Sequence, residues 1–255
     1  NPPTLSIVLP VYNEQNRIVP GVEKALELQK LWNGDCEILV VDDDSQDGTA
    51  DIVRTLARQD SRLRIIQRVG RSGLASAIKE GLIAAIYPFA IAMDSDGQHE
   101  PASVLAAIHN LHEGSDLVIG SRFLVNSEIH GLSERRTGGS NLANRLARWS
   151  LSKSYGQLTD YMSGFIAMDL QRCIQLVRKV DVNGFKFLYE LLAISKGNLK
   201  VSEIPLNFQP RLHGSSKLDY AVLWDFAVSL IHTALFRLLP RRAISFGLVG
   251  ISGVA

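Results

Sequence analysis

The sequence predicts an α/β protein with a doubly wound, mostly parallel sheet and helices on both faces. Two observations predict it: short, continuous apolar segments recur along the first half of the chain, and segments with apolar residues at helical spacing separate them. Continuous apolar strands are typical of sheets that are covered on both sides. Ligands of such sheets bind beyond the carboxyl ends of the strands, so functional residues are expected directly after each strand.

The elements follow from this pattern in order. The predicted strands of the first half are Leu5–Pro10, Glu37–Val41, Leu63–Gln67, Phe89–Met93 and Leu117–Gly120. The predicted helices between them are Ile18–Lys30, Thr49–Arg58, Leu74–Ile86 and Ala102–His112. The second half is less regular, with helices predicted over Gly139–Ser152 and Phe185–Lys196 and an extended segment over Val201–Phe208. Pro205 lacks an N–H group, which favours an edge position for that segment.

The C-terminal part has a different character. Between Asp219 and Leu239 the pattern is helical, with polar residues on one face and a wide, aromatic-rich face opposite. Such a helix could lie in a membrane interface or pack on the core, and the arginines at 237, 241 and 242 favour the membrane interface. The uncharged segment Ala243–Ala255 has thirteen residues, too few to span a bilayer alone. We expect it to be the beginning of a membrane span.

Composition excludes several classes of protein. Hydrophobic residues make up 46% of the 255 residues and charged residues 21%, which is typical of a globular core and not of a disordered chain. Two cysteines, Cys36 and Cys173, cannot form a disulfide framework, and no spacing suggests structural zinc. The sequence has no secretory leader, so we expect it to lie on the cytoplasmic side.

The net charge of +1 conceals an asymmetry. Residues 1–100 carry 10 basic and 15 acidic residues, whereas residues 101–255 carry 17 and 11. An acidic half beside a basic half predicts a bound cation on one side and anionic ligands on the other. No nucleic-acid partner is expected from this distribution.

Acidic and aromatic residues follow the first two strands. The first strand continues into PVYNE (10–14), which offers a ring, an amide and a carboxylate. The second ends at three consecutive aspartates, Asp42–Asp44. Asp42 and Asp43 leave a buried strand, where a carboxylate can accept hydrogen bonds from a base or ribose. Asp47 is expected to cap the next helix instead.

An Asp-x-Asp pattern follows the fourth strand. Asp94, Asp96 and Gln98 supply hard oxygen ligands, which suit Mg²⁺ or Mn²⁺ on a diphosphate. His99 is expected to lie at the surface. The phosphate-binding patterns of P-loop enzymes and of nicotinamide dehydrogenases are missing from the sequence, so both classes are disfavoured.

Phosphate must therefore be held by the metal and by basic side chains. Arg122 follows the fifth strand, and Arg136 with Ser140 comes shortly after it. A basic segment from Arg211 to Lys217 closes the region. Arginine binds phosphate oxygens through two parallel hydrogen bonds, and lysine acts as a point charge. The arginines at 145, 148 and 178 are expected to be solvent-exposed and without such a role.

Together these motifs resemble the inverting family 2 glycosyltransferases with a GT-A fold. The resemblance is greatest to the branch that transfers hexoses to polyprenyl or dolichyl phosphate, which includes dolichol-phosphate mannose synthases and GtrB-like bacterial enzymes. It covers nearly all of residues 4–220. The matching segments are PVYNE (10–14), VDDDSQDGT (41–49), GLASAIKEGL (73–82), DSDGQHEP (94–101), GSRF (120–123), SGF (163–165) and the Arg211-to-Lys217 loop. Gln46 stands where the family often has proline, and the processive Q-x-x-R-W motif is absent.

The resemblance implies a role for each motif. Nucleoside contacts fall to Pro10, Tyr12, Asn13, Glu14 and Asp43. The divalent cation on the diphosphate falls to Asp94, Asp96 and Gln98. The acceptor phosphate falls to Arg122, Arg136 and Ser140, and closure over the donor to Arg211 and Lys217. Asp94, Asp96 and Arg122 are the residues expected to act in catalysis.

The implied reaction transfers mannose or glucose from a GDP- or UDP-sugar to a membrane polyprenyl phosphate, with inversion at C1. The implied parts are a catalytic domain over residues 1–218, an amphipathic helix over 219–242 and a truncated membrane segment over 243–255. One alternative is a transferase that acts on a hydroxyl group, with Asp160 or Glu190 as base. Another is an inactive membrane scaffold. Homo-oligomer formation stays open.

Overall fold

The computed structural model describes residues 4–32, 34–95, 100–124, 144–151, 153–182 and 186–206. Several predictions lie outside these ranges. They concern Asp96, Gln98, His99, Arg136, Ser140, Arg211, Lys217 and the C-terminal segments 219–242 and 243–255.

Strands and helices alternate along the described chain. The strands are β1 (Leu5–Val11), β2 (Cys36–Asp42), β3 (Leu63–Gln67), β4 (Phe89–Ala92), β5 (Leu117–Ser121), β6 (Ile166–Asp169) and β7 (Val201–Pro205). The helices are α1 (Ile18–Trp32), α2 (Thr49–Ala57), α3 (Leu74–Ala84), α4 (Pro101–His112), α5 (residues 144–150), α6 (Leu170–Lys179) and α7 (Phe187–Ser195). The five strands and four helices predicted for the first half are all confirmed, within a few residues at their ends.

The seven strands form one sheet in the order β3-β2-β1-β4-β6-β5-β7. β6 is antiparallel to both of its neighbours, and the other pairs are parallel. The result is a mixed α/β fold with a mostly parallel sheet, as predicted. β7 lies at the edge of the sheet, where Pro205 removes no ladder hydrogen bond from a central strand.

The sequence prediction missed β6 and α6. β6 has only four residues and passes directly into α6 without an intervening turn, so its short apolar segment merges with the helical pattern. Asp169 marks the boundary because its side chain accepts hydrogen bonds from the backbone N–H groups of Gln171 and Arg172, at 2.9 and 3.4 Å. Such a cap satisfies backbone donors that the first turn of a helix leaves open.

Core residues cover both faces of the sheet. All seven residues of β1 are buried, and its apolar side chains alternate between two clusters. Leu5, Ile7 and Leu9 belong to the cluster that includes residues of α1 and α4, whereas Val8 belongs to the cluster that includes residues of α3 and α7. Burial on both faces explains why the strands read as continuous apolar segments. In the part of the chain that the structure describes, no helix has the length and hydropathy needed to cross a bilayer.

Two glycines allow helices to pack closely near the carboxyl ends of the strands. A Cβ atom at Gly81 of α3 would overlap the Val8 side chain, and one at Gly21 of α1 would overlap the backbone carbonyl of Ser95. Both α1 and α3 are thereby held against the sheet. The sheet order runs outward from β1 in both directions, so β1 and β4 meet at a topological switch point, where doubly wound folds bind ligands.

Candidate active site

A cleft of about 280 Å³ opens at this switch point. The ends of β1, β2 and β4 contribute its walls, and the segment between β3 and α3 closes one side. Its lining residues are Pro10, Val11, Tyr12, Glu14, Arg17, Asp43, Arg71, Gly73, Leu74, Ala77, Asp94 and Ser95. Five predicted ligands, Pro10, Tyr12, Glu14, Asp43 and Asp94, are therefore brought together from three separate strands.

Asp43 is a buried carboxylate with several partners. It accepts hydrogen bonds from Arg68 Nη1 at 2.6 Å and from the backbone N–H groups of Ser72 and Gly73, at 3.0 and 2.8 Å. Both side chains of the Arg68–Asp43 pair are under a tenth exposed. A carboxylate has about four lone-pair sites, so Asp43 can still accept a donor from the cleft. It also holds the wall of the cleft in place, a role that the sequence did not indicate.

Tyr12 faces a cation that the sequence analysis did not single out. The guanidinium carbon of Arg71 lies 4.0 Å from the centroid of the Tyr12 ring. Cation–π contacts of this kind occur within about 6 Å. Tyr12 and Arg71 both line the cleft, so its mouth presents a flat aromatic face with a positive charge above it.

Asn13 makes hydrogen bonds between two loops beside the cleft. Its Oδ1 atom accepts a hydrogen bond from the Gln46 N–H at 2.9 Å, and its own N–H donates to Ser45 Oγ at the same distance. Its φ of +54° lies in the left-handed region, which asparagine tolerates better than most residues. Asn13 does not line the cleft, and it ties the loop after β1 to the loop after β2.

Two further acids after β2, Asp42 and Asp47, make contacts within the loop. Asp42 is fully buried and accepts a hydrogen bond from the Ser45 N–H at 3.1 Å. Asp47 accepts one from the N–H of Thr49, where α2 begins. Its slight burial raises the pKa of Asp47, but the hydrogen bonds from Thr49 and Gln15 outweigh this and lower it below its ordinary value. The N-cap residue of α2 is Gly48, so Asp47 is not the cap that the sequence predicted, although its side chain binds the first residue of the helix from one position before the cap.

Asp94 lies where the cleft meets a second group of charges. It lines the cleft directly after β4, and a Cβ atom at Gly164 would lie 3.4 Å from its Oδ2 atom. The SGF segment thus approaches the carboxylate closely without covering it. Within the described residues there is no group of three His, Cys, Asp or Glu side chains placed to hold a metal ion. Since Mg²⁺ and Mn²⁺ often take only one or two carboxylates, Asp94 fits as a first ligand.

Arg122 and Asp160 form a bidentate pair beside Asp94. Arg122 Nε donates to Asp160 Oδ2 at 2.7 Å and Nη2 donates to Oδ1 at 2.9 Å, and Asp160 is fully buried. Burial lowers the pKa of Arg122, but the hydrogen bond and charge of Asp160, with the charge of Asp94, raise it above its ordinary value. Arg122 therefore stays cationic at the inner end of the site.

Lys186 adds a second cation to this group. Burial lowers its pKa below the ordinary value, while the charges of Asp94 and Asp160 oppose this and Arg122 reinforces it. Two carboxylates and two cations from four separate segments thus lie within electrostatic range of one another. Lys186 precedes α7, and only the tertiary structure reveals its place in this group.

A carboxylate on the edge strand β7 stabilises the backbone next to the Arg122–Asp160 pair. Glu203 of β7 accepts hydrogen bonds from the Thr159 and Asp160 N–H groups at 2.9 and 3.1 Å. Burial raises the pKa of Glu203 above its ordinary value, although these hydrogen bonds oppose the shift. The Thr159 hydroxyl also contacts Ser121 Oγ at 2.5 Å, which joins the segment to the end of β5. Glu203 therefore fixes the segment that presents Asp160 to Arg122.

The fold and these residues define a glycosyltransferase of the α/β class, and comparison with known proteins agrees. The chain belongs to glycosyl transferase family 2, whose model matches residues 6–182. Dolichol-phosphate mannosyltransferase of Pyrococcus furiosus is 30% identical over 98% of this chain and 69% of its own length. The enzyme of the same name from Saccharomyces cerevisiae is also 30% identical, over 94% of this chain and 91% of its own length.

Solved structures share the fold at lower identity. The glucosyl-3-phosphoglycerate synthase of Mycobacterium tuberculosis superposes with a TM-score of 0.64 at 21% identity, over 91% of this chain and 81% of that chain. A mannosyltransferase of Pyrobaculum calidifontis, solved with GDP-Man and Mn²⁺, has a TM-score of 0.60 at 15% identity, over 100% of this chain and 76% of that chain. These likenesses show the fold, which is of the GT-A type.

Proposed function

We propose that the protein transfers a hexose from a nucleotide sugar to a membrane polyprenyl phosphate, with inversion at the sugar C1. The observation that carries the proposal is the position of Asp94, which lies between the cleft and the Arg122–Asp160 pair. A nucleotide diphosphate in the cleft and an acceptor phosphate at Arg122 would then meet at Asp94. The relatives at 30% identity are named for transfer of mannose to dolichol phosphate.

The cleft supplies the donor subsite. Tyr12 and Arg71 offer an aromatic face and a cation for the base, and Asp43 offers a carboxylate that can accept its N–H groups. Pro10 and Glu14 complete the wall beside them. We assign the loop residues Arg211 and Lys217, which lie outside the described chain, to closure over the diphosphate.

A divalent cation, Mg²⁺ or Mn²⁺, would be held on the diphosphate by Asp94 together with Asp96 and Gln98. When bound it would supply charge stabilisation to the departing nucleotide. Mn²⁺ accompanies the nucleotide sugar in the Pyrobaculum calidifontis structure and in one complex of the Mycobacterium tuberculosis enzyme with UDP-glucose. The charge of Asp94 helps to raise the pKa of Arg122 and opposes the lowering of the Lys186 pKa by burial. The basic side chains beside Asp94 can thereby help to hold two anionic reactants together.

The acceptor phosphate is assigned to Arg122, with Arg136 and Ser140 from the segment outside the described residues. Asp160 engages Nε and Nη2 of Arg122, and we assign the remaining group, Nη1, to a phosphate oxygen. A phosphate monoester has a second pKa of about 6, so it is largely dianionic at neutral pH and serves as its own nucleophile. The protein has only to align a phosphate oxygen with C1, opposite the leaving diphosphate.

This geometry disfavours the alternative that uses a protein base and a hydroxyl acceptor. Of the two candidate bases, Asp160 is fully buried and accepts hydrogen bonds from Nε and Nη2 of Arg122, and Glu190 is 1% exposed within α7. A general base must reach the proton that it removes, directly or through one water. Neither carboxylate is placed at the cleft wall. The geometry therefore favours an acceptor that is already ionised when it binds, because such an acceptor needs no protein base.

The membrane parts complete the proposal. From the sequence alone, we assign residues 1–218 to the catalytic domain, residues 219–242 to an amphipathic helix in the bilayer interface and residues 243–255 to a membrane segment. A polyprenyl chain stays in the bilayer, so its phosphate can be reached only from the membrane surface. We place the catalytic domain on the cytoplasmic face, where nucleotide sugars are available.

Glu203→Gln is expected to impair acceptor use through Asp160. The amide NH₂ would face backbone donors that now meet a carboxylate oxygen, so the 158–160 segment would shift and Arg122 with it. We expect the acceptor KM to rise about tenfold while the donor KM is unchanged, as for other residues that orient a ligand indirectly. Steady-state kinetics with each substrate varied in turn measures both.

Glu37→Gln is the matched control. Glu37 is also a buried carboxylate with several donors, Ser6 Oγ at 2.6 Å and the Ile86 N–H at 2.8 Å among them, but it lies at the opposite end of the sheet. Both variants should lose about 1–2 kcal/mol of unfolding free energy. If Glu37→Gln raised the acceptor KM as much as Glu203→Gln does, the effect would be one of stability and not of positioning.

A donor screen tests the proposed function. Membranes that contain the protein are incubated with labelled GDP-mannose or UDP-glucose, Mg²⁺ or Mn²⁺, and a polyprenyl phosphate, and the lipid fraction is analysed by mass spectrometry. The proposal predicts one labelled hexosyl phosphoryl lipid that forms only with a divalent cation. Absence of a labelled lipid with every donor, in a preparation that binds nucleotide, would overturn it.

A further inference from the structure

Arg17 is a basic residue of the cleft to which no role has been assigned so far. Of the described residues that line the cleft, two are basic: Arg17 and Arg71, and the second lies over an aromatic ring. The same lining includes three carboxylates, those of Glu14, Asp43 and Asp94. Arg17 therefore offers the cleft a positive charge that the nucleoside contacts assigned above do not use.

The protein holds the guanidinium of Arg17 only weakly. Its Nε atom lies 3.6 Å from Glu14 Oε2, which is beyond hydrogen-bond distance. Within the part of the chain that the structure describes, this guanidinium donates no hydrogen bond. Arg68, by contrast, donates to Asp43 at 2.6 Å. Because a guanidinium carries five N–H donors, Arg17 can bind an anion without giving up a hydrogen bond to these residues.

The start of α1 places Arg17 beside the loop that follows β4. The Arg17 carbonyl accepts a hydrogen bond from the Gly21 N–H at 3.2 Å, so the two residues are one helical turn apart. A Cβ atom at Gly21 would overlap the carbonyl oxygen of Ser95, the residue directly after Asp94. This close backbone contact holds the Arg17 end of α1 beside the loop that carries the proposed metal ligand.

We propose that Arg17 binds a phosphate oxygen of the donor's nucleoside diphosphate. The inference rests on the proposed function, which places a nucleotide in this cleft, and it adds a binding residue to that site. Charge-assisted hydrogen bonds from arginine to phosphate are stronger than the 3.6 Å contact with Glu14, so the bound diphosphate replaces Glu14 as the partner of the guanidinium. The positive charge offsets the repulsion between the diphosphate and the carboxylates of the cleft.

Equilibrium binding tests the contact without depending on transfer. The full chain and its Arg17→Gln variant are titrated with GDP and UDP, and with guanosine and uridine, at low ionic strength in the presence of Mg²⁺. For the diphosphate that the parent protein binds, Arg17→Gln should raise Kd about tenfold, the effect of one charged hydrogen bond. The Kd of the corresponding nucleoside should stay within about twofold, and added salt should reduce the difference between the two proteins.

Arg54→Gln is the matched control. Arg54 pairs with Asp51, three residues before it, and its side chain is 43% exposed against 48% for Arg17. Both variants should keep the parent melting temperature, because exposed pairs contribute little to stability. Arg54→Gln should also keep the parent Kd for every ligand, and an equal loss in this variant would attribute the effect to overall charge and overturn the contact. Arg17→Lys should raise the diphosphate Kd less than Arg17→Gln, since lysine keeps the charge.

The outcome is separable from that of the proposed function. An unchanged diphosphate Kd in Arg17→Gln would overturn the contact, and so would an equal loss for the nucleoside, which would place Arg17 on the ribose or base. Either result beside a labelled lipid in the donor screen would leave the function intact. A tenfold loss confined to the diphosphate would support the contact even if no donor yielded a labelled lipid. A parent protein that bound neither GDP nor UDP would contradict both.

Discussion

Asp94→Asn is expected to lower kcat/KM for transfer by about 10³-fold or more while the fold persists. The carboxylate lines the cleft close to the Arg122–Asp160 pair, so its charge is expected to serve both the proposed cation and the neighbouring arginine. Loss of about 4 kcal/mol of transition-state stabilisation corresponds to about 10³-fold in rate. Asparagine keeps the size and removes the charge. Initial rates with saturating donor and acceptor, together with thermal unfolding, measure the two effects separately.

Asp51→Asn is the control for that variant. Asp51 is an exposed carboxylate on α2 that pairs with Arg54, and its side chain is 82% exposed. Removing its charge should leave the rate within about twofold, because exposed pairs contribute little. The rates of both variants should also be measured at increasing Mn²⁺ concentration. Added Mn²⁺ should restore the rate of Asp94→Asn at most in part. Near-normal turnover by Asp94→Asn would contradict the assignment of this carboxylate to the cation.

Arg122→Ala is expected to affect both stability and acceptor use. The variant leaves the fully buried Asp160 carboxylate without its guanidinium partner, which costs about 3 kcal/mol when one member of a buried pair is removed. It also removes the predicted phosphate ligand, so kcat/KM for the acceptor should fall about 100-fold, the value of a charged hydrogen bond of about 3 kcal/mol. Chemical denaturation and kinetics with each substrate varied separately provide the measurements.

The double variant Arg122→Ala/Asp160→Ala separates the two effects. Removing both members leaves no uncompensated charge, so much of the lost unfolding free energy should return. Acceptor use should not return, because no cation replaces Arg122. The kcat/KM of Arg122→Lys for the acceptor should lie between those of the parent protein and Arg122→Ala, since lysine keeps the charge but cannot form two parallel hydrogen bonds. Recovery of activity in the double variant, or an equal rise of donor and acceptor KM in Arg122→Ala, would contradict the acceptor role.

Residues that directly follow strands could be identified from the sequence. Tyr12, Asp43 and Asp94 each come immediately after a continuous apolar segment, and a parallel sheet brings the ends of such segments to one edge. Their convergence in one cleft therefore follows from local pattern and from general rules of topology. The resemblance of the motifs to family 2 glycosyltransferases is confirmed by the family to which the chain belongs.

The supporting residues could not be identified in this way. Asn13 follows a strand like its neighbours, but its amide binds the loop after β2, and only the two folded loops together reveal this. Lys186 and Glu203 lie far along the chain from Arg122, and they approach it only in the folded protein, in which β7 pairs with β5. The sequence made Asp160 a candidate base, whereas the structure pairs it with Arg122. Contacts between side chains of distant segments leave no periodic pattern in the sequence, so the sequence alone does not reveal them.

The central claim is that the acceptor is a phosphate that needs no protein base, held at Arg122. Transfer from one donor to a polyprenyl phosphate, to the corresponding polyprenol and to a soluble sugar hydroxyl measures it most directly, in detergent at fixed Mn²⁺. We predict that the phosphate is used at least about 100-fold better than either hydroxyl, because only it is ionised and can bind the guanidinium. Equal or faster transfer to a hydroxyl would contradict the account.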